Sequence, residues 1–238
     1  MQTSAGRALV ELMDSAMHTG RVGMTDAQKA VSAAVRGLDS AAFTSIHILD
    51  RVPAIFEDRE QYAAWRSDLG AELEVDPLCI VIVGSTAVGV SLSPKDDKRF
   101  RPFHDESDVD VAVVSARHFD EAWRWLRALG PLDALKGRPD EADLLGWHRR
   151  SLVFDGTIAT DRLLPYLPFG ATWQSALGRA SLRAPTLDRD VKARIYRDFE
   201  SLREYHRRNV ESLKAELQLE PPAGTPMVAT DEKDEAQE

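Results

Sequence analysis

Asp108 and Asp110 stand two residues apart in the run Asp108-Val109-Asp110-Val111. In a β-strand successive side chains alternate faces, so both acids share one face while Val109, Val111 and Val113 line the other. Two carboxylates held side by side repel, and a divalent cation between them removes the conflict. The pair therefore reads as a candidate metal site for phosphoryl transfer. The plainer alternative is a solvated strand face with Ser107-Asp108 as ordinary turn chemistry. What favours the chemical reading lies upstream. Cys79-Ile80-Val81-Ile82-Val83 reads as a buried strand that breaks at Gly84-Ser85 into a short helix. Such a break places backbone N–H groups and a hydroxyl where a phosphate can sit, and the glycine allows close approach. The segment Gly84 to Ser91 lacks the lysine of a P-loop.

A third carboxylate is expected from a later hairpin. Arg150 to Phe154 and Thr157 to Leu164 flank Asp155-Gly156, a pattern for two strands around a two-residue turn. Asp155 then serves the turn, whereas Asp161 lies inside the second strand, where local backbone needs do not explain it. Asp161 is preferred over Asp155 on that ground. A hydrophobic strand ending in Gly84-Ser85, a hydrophobic-flanked Asp108-x-Asp110, and a strand carrying Asp161 shortly before Pro165 together resemble the DNA polymerase β type nucleotidyltransferase superfamily. The resemblance spans roughly Leu78 to Pro165.

The resemblance implies an α+β fold, a small mixed sheet flanked by N-terminal and C-terminal helices. It also implies that Asp108, Asp110 and Asp161 bind two Mg²⁺ (or Mn²⁺) ions and carry catalysis, with Gly84 and Ser85 holding the phosphates of a nucleoside triphosphate such as ATP. The implied reaction moves a nucleoside monophosphate to a hydroxyl on an RNA end, a protein, a nucleotide or a small molecule, releasing pyrophosphate. A catalytically silent binding, antitoxin or regulatory module on the same fold is the alternative. One departure stands out: 22 residues, Thr86 to Ser107, separate Gly-Ser from the first Asp, about twice the usual spacing. The extra length, Ser93 to Glu106, is polar with two prolines and reads as a surface loop, an insertion that costs little in closure entropy. Lys95, Lys98, Arg99 and Arg101, with Phe100 and Phe103, are expected at the rim of the site, either gripping phosphates or simply solvated.

The elements that must position these residues fall into four parts. Residues 1–76 read as a helical segment packed on the core, with Thr25-Asp26 as a cap and Tyr62, Trp65 and Leu69 at helical spacing. Residues 77–187 form the catalytic core, including a helix over Phe119 to Leu129. Within 188–219, Val191, Ile195, Phe199, Leu202, Val210, Leu213 and Leu217 predict one long amphipathic helix from Asp190 to Leu217, with Lys192, Arg194, Arg197, Arg203, Arg207 and Arg208 on its polar face. Acids interleaved there favour a solvated face over an RNA-binding one. Residues 220–238, Pro-rich then acidic, read as a disordered tail. That tail holds −5 of the net charge of −9, leaving −4 on the body, so a polyanionic partner stays open.

Other chemistries fit less well. The single Cys79 reads as core and allows no disulfide framework, and with scattered histidines it makes a zinc site a poor reading. His104-Asp105 is similar to the metal-binding pair of helical HD phosphohydrolases but lies in a Pro-flanked loop. No leader-like or membrane-length apolar stretch is seen, so the expected compartment is the cytoplasm.

Overall fold

Four strands form one mixed sheet: β1 (Ile80–Val83), β2 (Val109–Val114), β3 (Thr157–Ala159) and β4 (Val191–Tyr196), in the spatial order β1-β2-β4-β3. The computed structural model describes residues 24–95, 97–128, 139–160 and 163–219. β1 is a β-branched Ile-Val-Ile-Val run, buried at every position, and pairs antiparallel with β2, Val83 opposite Asp110. β2 and β4 run parallel with Asp110 opposite Lys192, and β3 returns antiparallel to β4. The expected α+β architecture, a small mixed sheet with helices on both sides, is what the chain adopts.

The α-helices among the described residues are α1 (Asp26–Gly37), α2 (Ser40–Phe43), α3 (Arg59–Leu73), α4 (Gly84–Val88), α5 (Ala116–Ala128), α6 (Pro139–Trp147), α7 (Gly170–Ala180) and α8 (Phe199–Leu219). Thr25 caps α1 in a reciprocal box with Gln28, as Thr25-Asp26 suggested. The helix α3 brings Tyr62 against the free edge of β1, where its hydroxyl accepts from the Ile82 N–H at 3.1 Å and so satisfies an edge strand's backbone. On one sheet face α7 meets Val191 and Ala193. Buried His118 of α5 packs against Trp173 of α7. The opposite face, carrying Asp110, Lys192 and Arg194, is covered by α8 together with a π-helical turn, Thr44–Leu49. No helix among the described residues is long and apolar enough to cross a membrane.

Two expected elements are corrected. The single helix from Asp190 to Leu217 is instead β4 followed by α8, so Lys192 and Arg194 are strand residues. Val191-Lys192-Ala193-Arg194-Ile195 alternates with period two, and its apolar members pack into the sheet interior. A new helix starts only after Asp198, whose carboxylate accepts from the Ser201 N–H at 2.7 Å as a cap does. The hairpin around Asp155-Gly156 also does not form. Helix α6 continues as a π-helical turn over His148–Leu152, and the chain then turns at Gly156, φ +67°. Buried His148 replaces the missing hairpin partner, its Nε2 lying 3.0 Å from the Ala159 N–H. Cys79 lies just before β1 and is partly buried, so that strand begins one residue later than expected. The third-carboxylate candidate Asp161, the acidic tail and residues 1–23 lie outside the described residues.

Candidate functional site

The antiparallel register of β1 and β2 brings the Gly84-Ser85 turn to the acids. Gly84 has φ +68°, a conformation L side chains rarely adopt. A Cβ built there would lie 2.6 Å from Asp110 Oδ2, so the missing side chain is what lets the carboxylate sit against the turn. Ser85 is partly exposed, and its hydroxyl has no hydrogen-bond partner among the described residues. Fully buried Thr86 donates its hydroxyl to the Asp108 carbonyl at 2.9 Å, tying the turn to the start of β2.

Arg189 fixes the approach to β2 from the other side. Its Nη1 donates to the carbonyls of His104 at 2.7 Å and Asp105 at 2.8 Å, and Nη2 meets Asp105 Oδ1 at 3.1 Å. The guanidinium also lies 4.6 Å from the centroid of the Phe103 ring. The Ser93 to Glu106 insertion is therefore anchored at its far end. Among the described residues of that insertion, Ser93 and Pro94 line the cavity beside Asp110. Lys95, Lys98 and Arg101 are exposed, while Phe100 is buried.

The charges facing the acids come from β4. Lys192 stands opposite Asp110 in the parallel ladder, and its Nζ lies 2.5 Å from Asp108 Oδ2. Arg194, two residues on and on the same face, donates Nη1 to the Tyr205 hydroxyl and stacks over that ring at 5.0 Å. Gly84, Ser85, Asp110, Lys192 and Arg194 line one cavity of about 380 Å³, a size ordinary for a small-molecule site. Its other wall is α8, which contributes Tyr205, His206 and Asn209, with Ile48 and Val210 as apolar lining. His206 is buried, and its Nε2 has no hydrogen-bond partner. Burial, reinforced by the Arg194 charge, pushes its pKa down to about 4, so the ring is neutral near pH 7.

Comparison of the chain with family models, curated proteins and solved structures finds no match. Of the residues singled out from the sequence, Gly84, Ser85 and Asp110 meet in one cavity, and Asp108 stands beside it. Asp161 falls outside the described residues. Asp155 belongs elsewhere, its carboxylate 3.0 Å from Arg208 Nη1 on the outer face of α8. That outer face is a salt-bridge network, Glu204 bonding Arg207 and Arg208 and lying near pKa 2 for that reason. Arg207 and Arg208 are accordingly already paired with carboxylates. Among the described residues, no three His, Cys, Asp or Glu side chains gather closely enough to hold a metal ion together.

The donor chemistry nevertheless suits a hard cation. Asp108 and Asp110 offer carboxylate oxygens from one strand face, and Gly84 keeps the space beside Asp110 free of a side chain. Sequence reading missed Lys192, Arg194, Arg189 and the wall of Tyr205, His206 and Asn209. The period-two alternation from Val191 to Ile195 was the available signal for the first two.

Proposed function

We propose that the chain is a cytoplasmic, divalent-cation-dependent nucleotidyltransferase that moves a nucleoside monophosphate from a nucleoside triphosphate to a hydroxyl acceptor. The observation that carries this reading is the close approach of Asp110 to Gly84, which has no side chain, at the Gly84-Ser85 turn inside one cavity of nucleotide-compatible size. Ser85 would hold an outer phosphate through its unpartnered hydroxyl. Lys192 and Arg194 present positive charge along the same wall. Asp108 and Asp110 would hold the Mg²⁺ or Mn²⁺, with Asp161 as the proposed third ligand; when bound, the ion neutralises phosphate charge and lowers the pKa of the acceptor hydroxyl. The acceptor oxygen forms the new bond to the α-phosphorus, and the bond from that phosphorus to the bridging oxygen breaks. Pyrophosphate leaves with the bridging oxygen, and the acceptor proton passes to a site carboxylate. Tyr205, His206 and Asn209 form the wall against which the nucleoside would lie.

Direct binding tests the first half of this reading. Calorimetric titration of a non-hydrolysable ATP analogue with Mg²⁺ is expected to show one site per chain, weakened at least tenfold by Ser85→Ala and Asp110→Asn. Unchanged affinity in both variants would remove the nucleotide from this cavity. A second reading has its own observation: the Lys192–Asp108 contact satisfies one of the two carboxylates without any ion, as a silent nucleotide-binding or regulatory module would. Binding without transfer to RNA, protein or small molecules would favour that module.

A further inference from the structure

The two walls of the cavity differ in chemical kind. The sheet wall carries the charges of Asp110, Lys192 and Arg194, whereas α8 contributes an aromatic ring, an imidazole and a carboxamide: Tyr205, His206 and Asn209. Asn209 follows His206 by three residues and Tyr205 by four, so the three share one helix face. Ile48 and Val210 add apolar surface beside them. His206 is the buried member, and its Nε2 has no hydrogen-bond partner. Such an orphan is rare in a folded chain and calls for an explanation. A polar ligand group in the cavity that His206 lines supplies one. Asn209 is exposed, and its carboxamide, which offers a donor beside an acceptor, makes no hydrogen bond among the described residues.

We infer that this face of α8 reads the nucleobase: Tyr205 lies against the base, while His206 Nε2 and the Asn209 carboxamide bond its polar edge and select adenine. The inference rests on the nucleotide reading of the cavity and names its base. A nucleotide has two unlike ends, and the cavity is divided in the same way. Anionic phosphates suit the charged sheet wall, and an uncharged base with an apolar face and a polar edge suits α8. A carboxamide pairs donor to acceptor with N6 and N7 of adenine, whereas O6 and N7 of guanine are both acceptors and leave the amide oxygen unmatched. The neutral imidazole of His206 adds one donor or one acceptor, according to which ring nitrogen holds the proton. Arg194 steadies the stacking ring, donating to the Tyr205 hydroxyl from above the ring plane.

Calorimetric titration of the full chain with non-hydrolysable analogues of ATP, GTP, CTP and UTP, in Mg²⁺ buffer, reads the selectivity directly. The ATP analogue is expected to bind at least about tenfold more tightly than the other three. Equal affinities, or preference for another base, overturn this inference and leave nucleotide binding standing. Failure of all four to bind overturns the nucleotide reading and this inference together. Asn209→Leu is then crossed with a purine analogue that lacks the N6 amine. Each change alone is expected to weaken binding about tenfold, and both together no more than either, because they remove the same contact. Additive losses contradict the pairing of Asn209 with that amine. His206→Leu separates recognition from folding. It removes an unsatisfied group, so at pH 7.5 it should unfold in urea no earlier than wild type while binding the ATP analogue about tenfold more weakly. A less stable variant with unchanged affinity assigns His206 to the fold and overturns its role in reading the base.

Discussion

Gly84→Ala is the substitution whose cost the geometry sets most directly. The residue has φ +68°, where an L side chain costs about 1–2 kcal/mol relative to glycine. The new Cβ would also lie 2.6 Å from Asp110 Oδ2, too close for any real contact. Because that oxygen ends an exposed side chain, it escapes by rotating, at about 0.5–1.5 kcal/mol for an off-rotamer torsion. Together these give a loss of about 2 kcal/mol, which for a chain of this size lowers Tm by roughly 4–8 °C. The displaced carboxylate should also weaken Mg²⁺-dependent ATP-analogue binding at least about tenfold, equivalent to about 1.4 kcal/mol. Gly178→Ala is the matched control, since a Cβ there meets nothing within 4 Å inside α7 and should stabilise by up to about 1 kcal/mol. Thermal unfolding and calorimetric titration of both variants decide the matter. A Gly84→Ala protein with unchanged Tm and affinity within twofold of wild type would refute the close approach of turn and acid.

Other contacts in the fold set further outcomes. Arg189→Ala should cost about 1–3 kcal/mol in urea unfolding and weaken nucleotide binding, since it holds the segment leading into Asp108. Arg189→Lys should not rescue it, because one ammonium cannot reproduce the forked set of bonds. A Cβ at Gly170 would lie 1.7 Å from the Leu164 carbonyl oxygen, which is backbone and cannot rotate away. Gly170→Ala should therefore unfold well below wild type, and a Tm within 2 °C, roughly 1 kcal/mol or less, would contradict that packing. His206 has a folded pKa of about 4 against an ordinary 6.5, so the unfolded chain takes up the proton first and stability falls as pH drops through that window. Urea unfolding at pH 5 should show about 2 kcal/mol less stability from this group than at pH 7.5, and His206→Leu should flatten that slope. A midpoint insensitive to pH in wild type would show the ring to be charged or solvated.

The part of the site carried by local pattern was legible. Ile-Val-Ile-Val before Gly84-Ser85, and the alternation through Asp108 to Val113, each state their strand within a few residues. The part made by distant pairing was not. Lys192 and Arg194 come 84 residues after the acids they face, and Val191, Ile195 and Phe199 satisfy a four-residue helical step as well as the period-two face of a strand. Asp198 capping through Ser201 was the one local sign that the helix starts later. At Asp155-Gly156 the turn chemistry was real, but it closes a helical segment, because the hydrogen-bonding group that meets β3 is a histidine side chain, not a second strand. The insertion shows a similar limit. Its charges left a phosphate-gripping rim and a solvated loop equally open, and its far end is held by Arg189, a residue no local window contains.

The most direct measurement of the central claim is label transfer. Wild type and Asp110→Ala are each incubated with every α-labelled nucleoside triphosphate in Mg²⁺ or Mn²⁺, together with cellular RNA, protein and small-molecule fractions. The account predicts that one fraction acquires label with release of pyrophosphate, and that Asp110→Ala abolishes it while remaining folded. Label in no fraction, or label undiminished by Asp110→Ala, would contradict it.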